Sequence, residues 1–269
     1  MIFDFMVGPS ILMYHSIADN PEDPYSVTVD AFQEQISWLY EHGFDVVSLS
    51  FLLQSIQTGD QRALRKKVVI TFDDGYQDFV TNALSILNEH SATATVFLVT
   101  DLLGGRAVWN KSGPDEPLMS EEEVRFIKAQ GISLGSHTAT HAKLTLLDHE
   151  ELKRQLSVSY DTLTRLGESF YAIAYPWGQW SSQVVDAVKA TGYECALAVG
   201  EQTRFKSADR YCLPRITMRR DMDLKQFQSL LTRTRVEMEL RRMYRDVREN
   251  EFFTAINNPL RIGTRGGNS

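Results

Sequence analysis

KKVVITFDDG, residues 66–75, joins a continuous β-rich run to two adjacent carboxylates and a glycine. Charge stands before the run and a turn follows it, so it reads as a strand, with the acids at its end. Outward from it, strand-like and helix-like segments alternate. ILMY (11–14), FDVVSL (44–49), TATVFLV (93–99), ISLG (132–135), YAIAY (171–175), YECALAV (193–199) and CLPRITM (212–218) read as strands. Between them lie helical patterns. Phe32, Ile36 and Leu39 repeat at helical spacing behind Asp30, which can cap, and Gly43 can end that helix. A short helix is expected near FLLQSI and a longer one over QDFVTNALSILNEH. Ser120 and Glu123 form a capping-box pattern. Asp148 caps a long helix with Leu152, Leu156, Tyr160 and Leu163 on one face. SSQVVDAVKATG and DLKQFQSLL complete the series. This order predicts a parallel sheet wrapped by helices. With at least seven strand candidates and no GxGxxG turn after the first, a closed α/β barrel is expected rather than a dinucleotide-binding sheet.

The chain has 269 residues, 43% hydrophobic and 23% charged, with a net charge of -7. That size suits one α/β barrel and a core that needs no disulfide or structural metal. The charge leaves no basic footprint for nucleic acid or an anionic membrane surface. Cys195 and Cys212 are the two cysteines, which excludes a disulfide scaffold. No stretch has the length of a membrane-spanning helix. The start, MIFDFMVGPSILM, has no Lys or Arg and contains Asp4, a poor signal peptide, so a cytoplasmic location is expected. Residues 1–231 form the expected barrel. Residues 232–269 hold a charged helix, RTRVEMELRRMYRDVREN, read as solvated or packed on the outside, and a mobile tail.

Three segments fall just after strands, where barrel enzymes place their chemistry. In TFDDGY (71–76) two neighbouring carboxylates repel each other unless positive charge is near, and a metal would supply it. Read alone, the same residues also make an ordinary turn into a helix. In SHTATH (136–141), His137 and His141 are four apart, which lets both imidazoles face one ion. The Glu of a zincin HExxH is absent, because Thr138 stands there. Two His and one carboxylate leave open positions for water and substrate. Zinc suits such a set, and cobalt, nickel or iron can occupy it. AYPWG (174–178) is a tight turn that serves either as an oxyanion hole or only as a turn.

Together, TFDDG, HTATH and the Pro-aromatic-Gly turn resemble the polysaccharide deacetylases of the NodB-homology type, carbohydrate esterase family 4. The resemblance runs from about Pro9 to Thr217. It implies a distorted (β/α)7 barrel, one divalent metal, and removal of acetyl groups from N-acetylhexosamine polymers. Carried over by motif, Asp73 is the general base, and Asp74, His137 and His141 are the metal ligands. The backbone N–H of Trp177 would help hold the oxyanion, and Leu144 would line the acetyl-methyl pocket. Tyr175 and Trp180 are candidates for substrate contact, and Trp109 and Trp180 for stacking on sugar rings.

Two features depart from that pattern. Ala174 stands where the family's third motif usually has an Arg that orients the catalytic Asp. The family's closing Leu-x-His is also absent, and no histidine follows His149. LMYH, an apolar strand ending in His15, has the character of the missing motif but stands at the front. This resembles the permuted branch that includes the poly-N-acetylglucosamine deacetylases. A first strand can take the place of a last one in a closed barrel. His15 then becomes the general acid. Arg215 in CLPRI could likewise replace the missing Arg, or be structural. His42 and His90, at helix ends, read as structural, and His149 as solvent-facing.

Two other readings compete. One is a hydrolase for O-acetyl esters or cyclic imides on the same scaffold. The other is a carbohydrate-binding protein without catalysis, against which the intact acid and histidine set argues.

Overall fold

The computed structural model describes residues 9–60, 62–109, 116–199 and 210–232. Eight parallel strands appear: β1 Ser10–Tyr14, β2 Asp45–Val46, β3 Lys67–Phe72, β4 Thr95–Leu98, β5 Ser133–Ser136, β6 Ala172–Ala174, β7 Cys195–Val199 and β8 Leu213–Thr217. From β3 to β8 each strand pairs with the next in sequence. The ring closes through β1. It pairs with β3 over Ser10↔Val68 to Tyr14↔Phe72, and with β8 at Leu12↔Ile216 and Met13↔Thr217. Seven strands thus form a closed barrel, and the two-residue β2 adds to the start of β3. The expected strand FDVVSL shrinks to that pair.

Strand period decides what faces inward. Ile11, Val69, Phe97, Ala172, Ala174, Cys195, Leu197 and Leu213 form one buried group, joined by Leu49, Leu52 and Leu53. The alternate residues, including Leu12, Tyr14, Val68, Ile70, Phe72, Val96 and Ile173, belong to a second and larger group that the helices share. The first group fills the barrel. Phe97 lies across β5 so closely that a Cβ on Gly135 would stand 2.4 Å from its ring, which is why that strand position is glycine.

Among the described residues, seven helices surround the ring: α1 Val29–Glu41, α2 Leu49–Thr58, α3 Leu84–Glu89, α4 Glu121–Ala129, α5 His149–Arg165, α6 Ser182–Thr191 and α7 Leu224–Thr232. Thr28, not Asp30, caps α1, and Asp30 sits in its first turn, where a carboxylate favours the helix dipole. The Ser120–Glu123 capping box and the Asp148 cap are both present. The helix expected over QDFVTNALSILNEH opens with a π-helical turn, Phe79–Ala83, before α3. The charged helix and tail expected beyond α7 lie outside the described residues. Among the described residues no helix is long and apolar enough to cross a membrane.

Candidate active site

Asp73 is the first residue past β3, and its backbone N–H donates to the Tyr14 carbonyl at 2.9 Å. Its side chain continues the inward phase of Val69 and Thr71. There it meets Arg215, the inward residue of β8. The guanidinium donates Nη1–H to Oδ1 at 2.5 Å and Nη2–H to Oδ2 at 2.7 Å. The same guanidinium donates to Thr71 Oγ1 and the Ala198 carbonyl, and lies over the Phe97 ring. Both residues are buried. Burial alone would raise the Asp73 carboxyl, but the Arg215 charge, then His137, outweighs it and holds the group below the usual carboxylate range.

Asp74, His137 and His141 converge beside it. Asp74 Oδ1 is 3.4 Å from His137 Nε2 and 3.3 Å from His141 Nε2. One donor atom from each of the three lies within 4.8 Å of the others. His137 Nδ1–H donates to the Ala174 carbonyl at 2.8 Å, which leaves the Nε2 lone pair turned toward Asp74. Burial pushes His137 down to about 4, so it is neutral near pH 7. Asp74 is held low. Burial opposes this, and contact with His141 outweighs it. Asp74 Oδ1 is buried yet accepts no hydrogen bond from the described residues. A buried, ionised oxygen facing two imidazole nitrogens is short of positive charge, and a divalent cation would supply it. The donor set fits such an ion.

The loops are strained to make this arrangement. Asp74, Thr138 and His141 have φ of 71°, 67° and 60°, a left-handed backbone that non-glycine residues seldom take. Helix α5 braces the histidine loop. Gln155 accepts from the Thr140 N–H and donates to its Oγ1, and Ser159 donates to Ser136 Oγ. Trp109 stacks flat on His141, with ring centroids 4.3 Å apart and planes 17° apart.

The third segment follows β6. Trp177 has φ 61° and Gly178 φ 65°. The Trp177 ring is half-exposed at the barrel mouth, 5.1 Å from His141, with Lys143 above it. Trp180 is also exposed, and Leu144 is buried on the short 3-10 turn just past His141. Tyr175 requires a correction. Ala172 and Ala174 face inward, so Tyr175 faces outward. Its ring is buried in the outer core and its hydroxyl donates to the Tyr211 carbonyl, leaving no face for a sugar.

His15 stands one residue past β1, beside β3 as the front-strand reading expects. Its ring lies 5.0 Å from that of Tyr25, and its charged form adds to what holds Asp73 and Asp74 low. Asp73, Asp74, His137, His141, Arg215, His15 and Trp177 therefore share one mouth of the barrel. Sequence reasoning missed Gln155 and Ser159. Gln155 and Ser159 had a visible signal, polar residues four apart on the apolar face of α5. Trp109, a candidate for stacking on sugar, covers His141 with one face of its ring.

The family model for polysaccharide deacetylase matches residues 60–196, about half of the chain. The chain belongs to the polysaccharide deacetylase family. YxkH of Bacillus subtilis is 27% identical over 210 residues, 77% of this chain and 70% of that protein. A poly-β-1,6-N-acetyl-D-glucosamine N-deacetylase of Staphylococcus epidermidis is 28% identical over 207 residues, 73% of this chain and 69% of that protein. Among solved structures, the deacetylase PplD of Streptococcus pyogenes superposes with a TM-score of 0.74 at 23% identity, over 85% of this chain and all of that one. IcaB from Ammonifex degensii gives 0.69 at 19% identity, over 83% and 95%. These two show a shared fold.

Proposed function

We propose that this polysaccharide deacetylase removes acetyl groups from N-acetylhexosamine units of a polysaccharide or glycoconjugate, with a divalent metal, zinc best suited, held by Asp74, His137 and His141. The observation that carries the reading is the ionised Asp73–Arg215 pair beside the Asp-His-His set. The relatives named as poly-N-acetylglucosamine deacetylases support the substrate class.

A bound divalent cation supplies positive charge that acidifies water and polarises the acetyl carbonyl. Asp73 takes the proton of the attacking water through an oxygen lone pair that Arg215 leaves open. Because Arg215 makes this carboxylate a weak base, it works only on water already made acidic. Arg215 keeps both oxygens in one plane, so the basic lone pair has a fixed direction. The Trp177 N–H donates to the oxyanion of the tetrahedral adduct. His15 gives its proton to the amine nitrogen as the C–N bond breaks, and acetate leaves. The aromatic faces of Trp177 and Trp180 carry the flanking sugars.

Acetate release from N-acetylglucosamine oligomers tests this, using protein stripped by chelator and reloaded with zinc or cobalt. Release that returns only with metal supports the reading. No release and no bound metal after reloading would overturn it.

A further inference from the structure

His15 has little holding its ring directly. Among the described residues its Nδ1 has no hydrogen-bond partner, and Tyr25 is an aromatic neighbour. The backbone that carries it is held from two sides. On the strand side, the Tyr14 carbonyl accepts the Asp73 N–H. On the loop side, the next two residues meet Asp78. Asp78 Oδ2 accepts the Ser16 hydroxyl at 2.5 Å, and Oδ1 accepts the Ile17 N–H at 3.1 Å. Four residues on, Asn82 donates to the Ile17 carbonyl at 2.7 Å. Ser16 and Ile17 are fully buried and Asp78 is half-buried, so these bonds are partly shielded from water.

Asp78 stands at the N-cap position of the π-helical turn, yet its side chain caps nothing there. Both oxygens are spent on the loop after His15. An acid at a helix start normally satisfies that helix's own free N–H groups. This one serves the neighbouring strand's loop instead, which the ring closure of β1 against β3 brings beside it.

We infer that Asp78 is a positioning residue for the general acid: by gripping Ser16 and Ile17 it sets where the His15 imidazole stands relative to Asp73 and the departing amine. The inference rests on the deacetylase reading above. Asp78 touches no substrate. It acts through two partly buried hydrogen bonds on the residues that fix the His15 backbone.

The test compares two leaving groups. An amine must be protonated to leave, whereas the phenolate of an aryl acetate leaves without a proton. Metal-loaded Asp78→Ala is expected to lose roughly ten- to hundred-fold in kcat on N-acetylglucosamine oligomers, with KM little changed, as a misplaced catalytic group does. Its loss on the aryl acetate is expected to be far smaller. His15→Ala should show the same split, and the double variant should be no worse on the amide than His15→Ala alone. Should Asp78→Ala fail to fold, Asp78→Asn and Ser16→Ala each weaken one grip and should show the split at smaller size. Equal losses on both substrates, or an unchanged amide rate, would overturn the inference while His15→Ala still showed the split. If His15→Ala itself lost amide and ester activity alike, the general-acid assignment would fall, and this inference with it.

Discussion

Arg215 holds Asp73 through two hydrogen bonds although 142 residues separate them in the chain. The ring order makes this possible. β8 neighbours β1 and β1 neighbours β3, so the inward residues of β8 and β3 are one strand apart. The guanidinium brings to Asp73 a positive charge that the Ala174 side chain does not carry.

Replacing Arg215 by Met should cost both stability and rate. Removing one partner of a buried ion pair destabilises by about 3–5 kcal/mol. Lys should not restore activity, because an ammonium cannot hold both oxygens in one plane. The pH dependence follows from the lowered Asp73 carboxyl. Its stabilisation is present above the ordinary carboxylate range and is lost as pH falls through the lowered value. Urea unfolding at several pH values should therefore show a shallower acid limb in Arg215→Met, and acetate assays should show the lost rate.

Metal binding and acid stability are linked through His137. Its pKa of about 4 lies below that of the unfolded chain, about 6.5, so folding favours the neutral ring. Metal-free protein should lose stability as pH falls from about 6.5 to about 4, and His137→Gln should flatten that part of the curve. Zinc at about 1,000 times its Kd should add roughly 4 kcal/mol at neutral pH, seen as a raised Tm. Asp74→Ala and His141→Ala should bind less than one metal per chain by elemental analysis.

Trp109 should tune metal affinity without being a ligand. Its ring lies flat on His141 and fixes the imidazole plane. Trp109→Ala should weaken cobalt binding by roughly 10-fold or more, the usual size of an outer-shell effect. Titration by cobalt absorbance reads this directly, and an unchanged affinity would deny the ring that role.

Gly178 should resist substitution. Its φ is +65°, and a Cβ there would stand 2.7 Å from the Val199 side chain. Gly178→Ala should destabilise by about 1–3 kcal/mol, as overpacking does. It should also slow acetate release, because the neighbouring Trp177 N–H shifts with the turn. Thermal melts and kcat together check it.

The local parts of this protein were legible in its residues. Apolar runs such as KKVVITF and TATVFLV mark strands. Ser120 with Glu123 marks a helix start, and DDG and HTATH mark chemistry at strand ends. Each of these depends on groups a few residues apart, so periodicity and turn chemistry suffice. The reading of His15 as the acid came instead from the resemblance to the permuted branch of the family, because a strand ending in histidine says little by itself.

Which faces those strands turn inward, and which side chains meet, came from closure of the ring. Tyr175 follows two inward alanines by simple alternation, but its outward phase is settled only once β6 has neighbours on both sides. Arg215 reads equally well as a surface residue until β8 lies beside β1. Asp78 meets Ser16 and Ile17 only because the loop after His15 is laid against it. These contacts join residues from 36 to 142 positions apart in the chain. They exist because seven short strands, each unable to bury both faces alone, share one core and so bring distant strand ends to one rim.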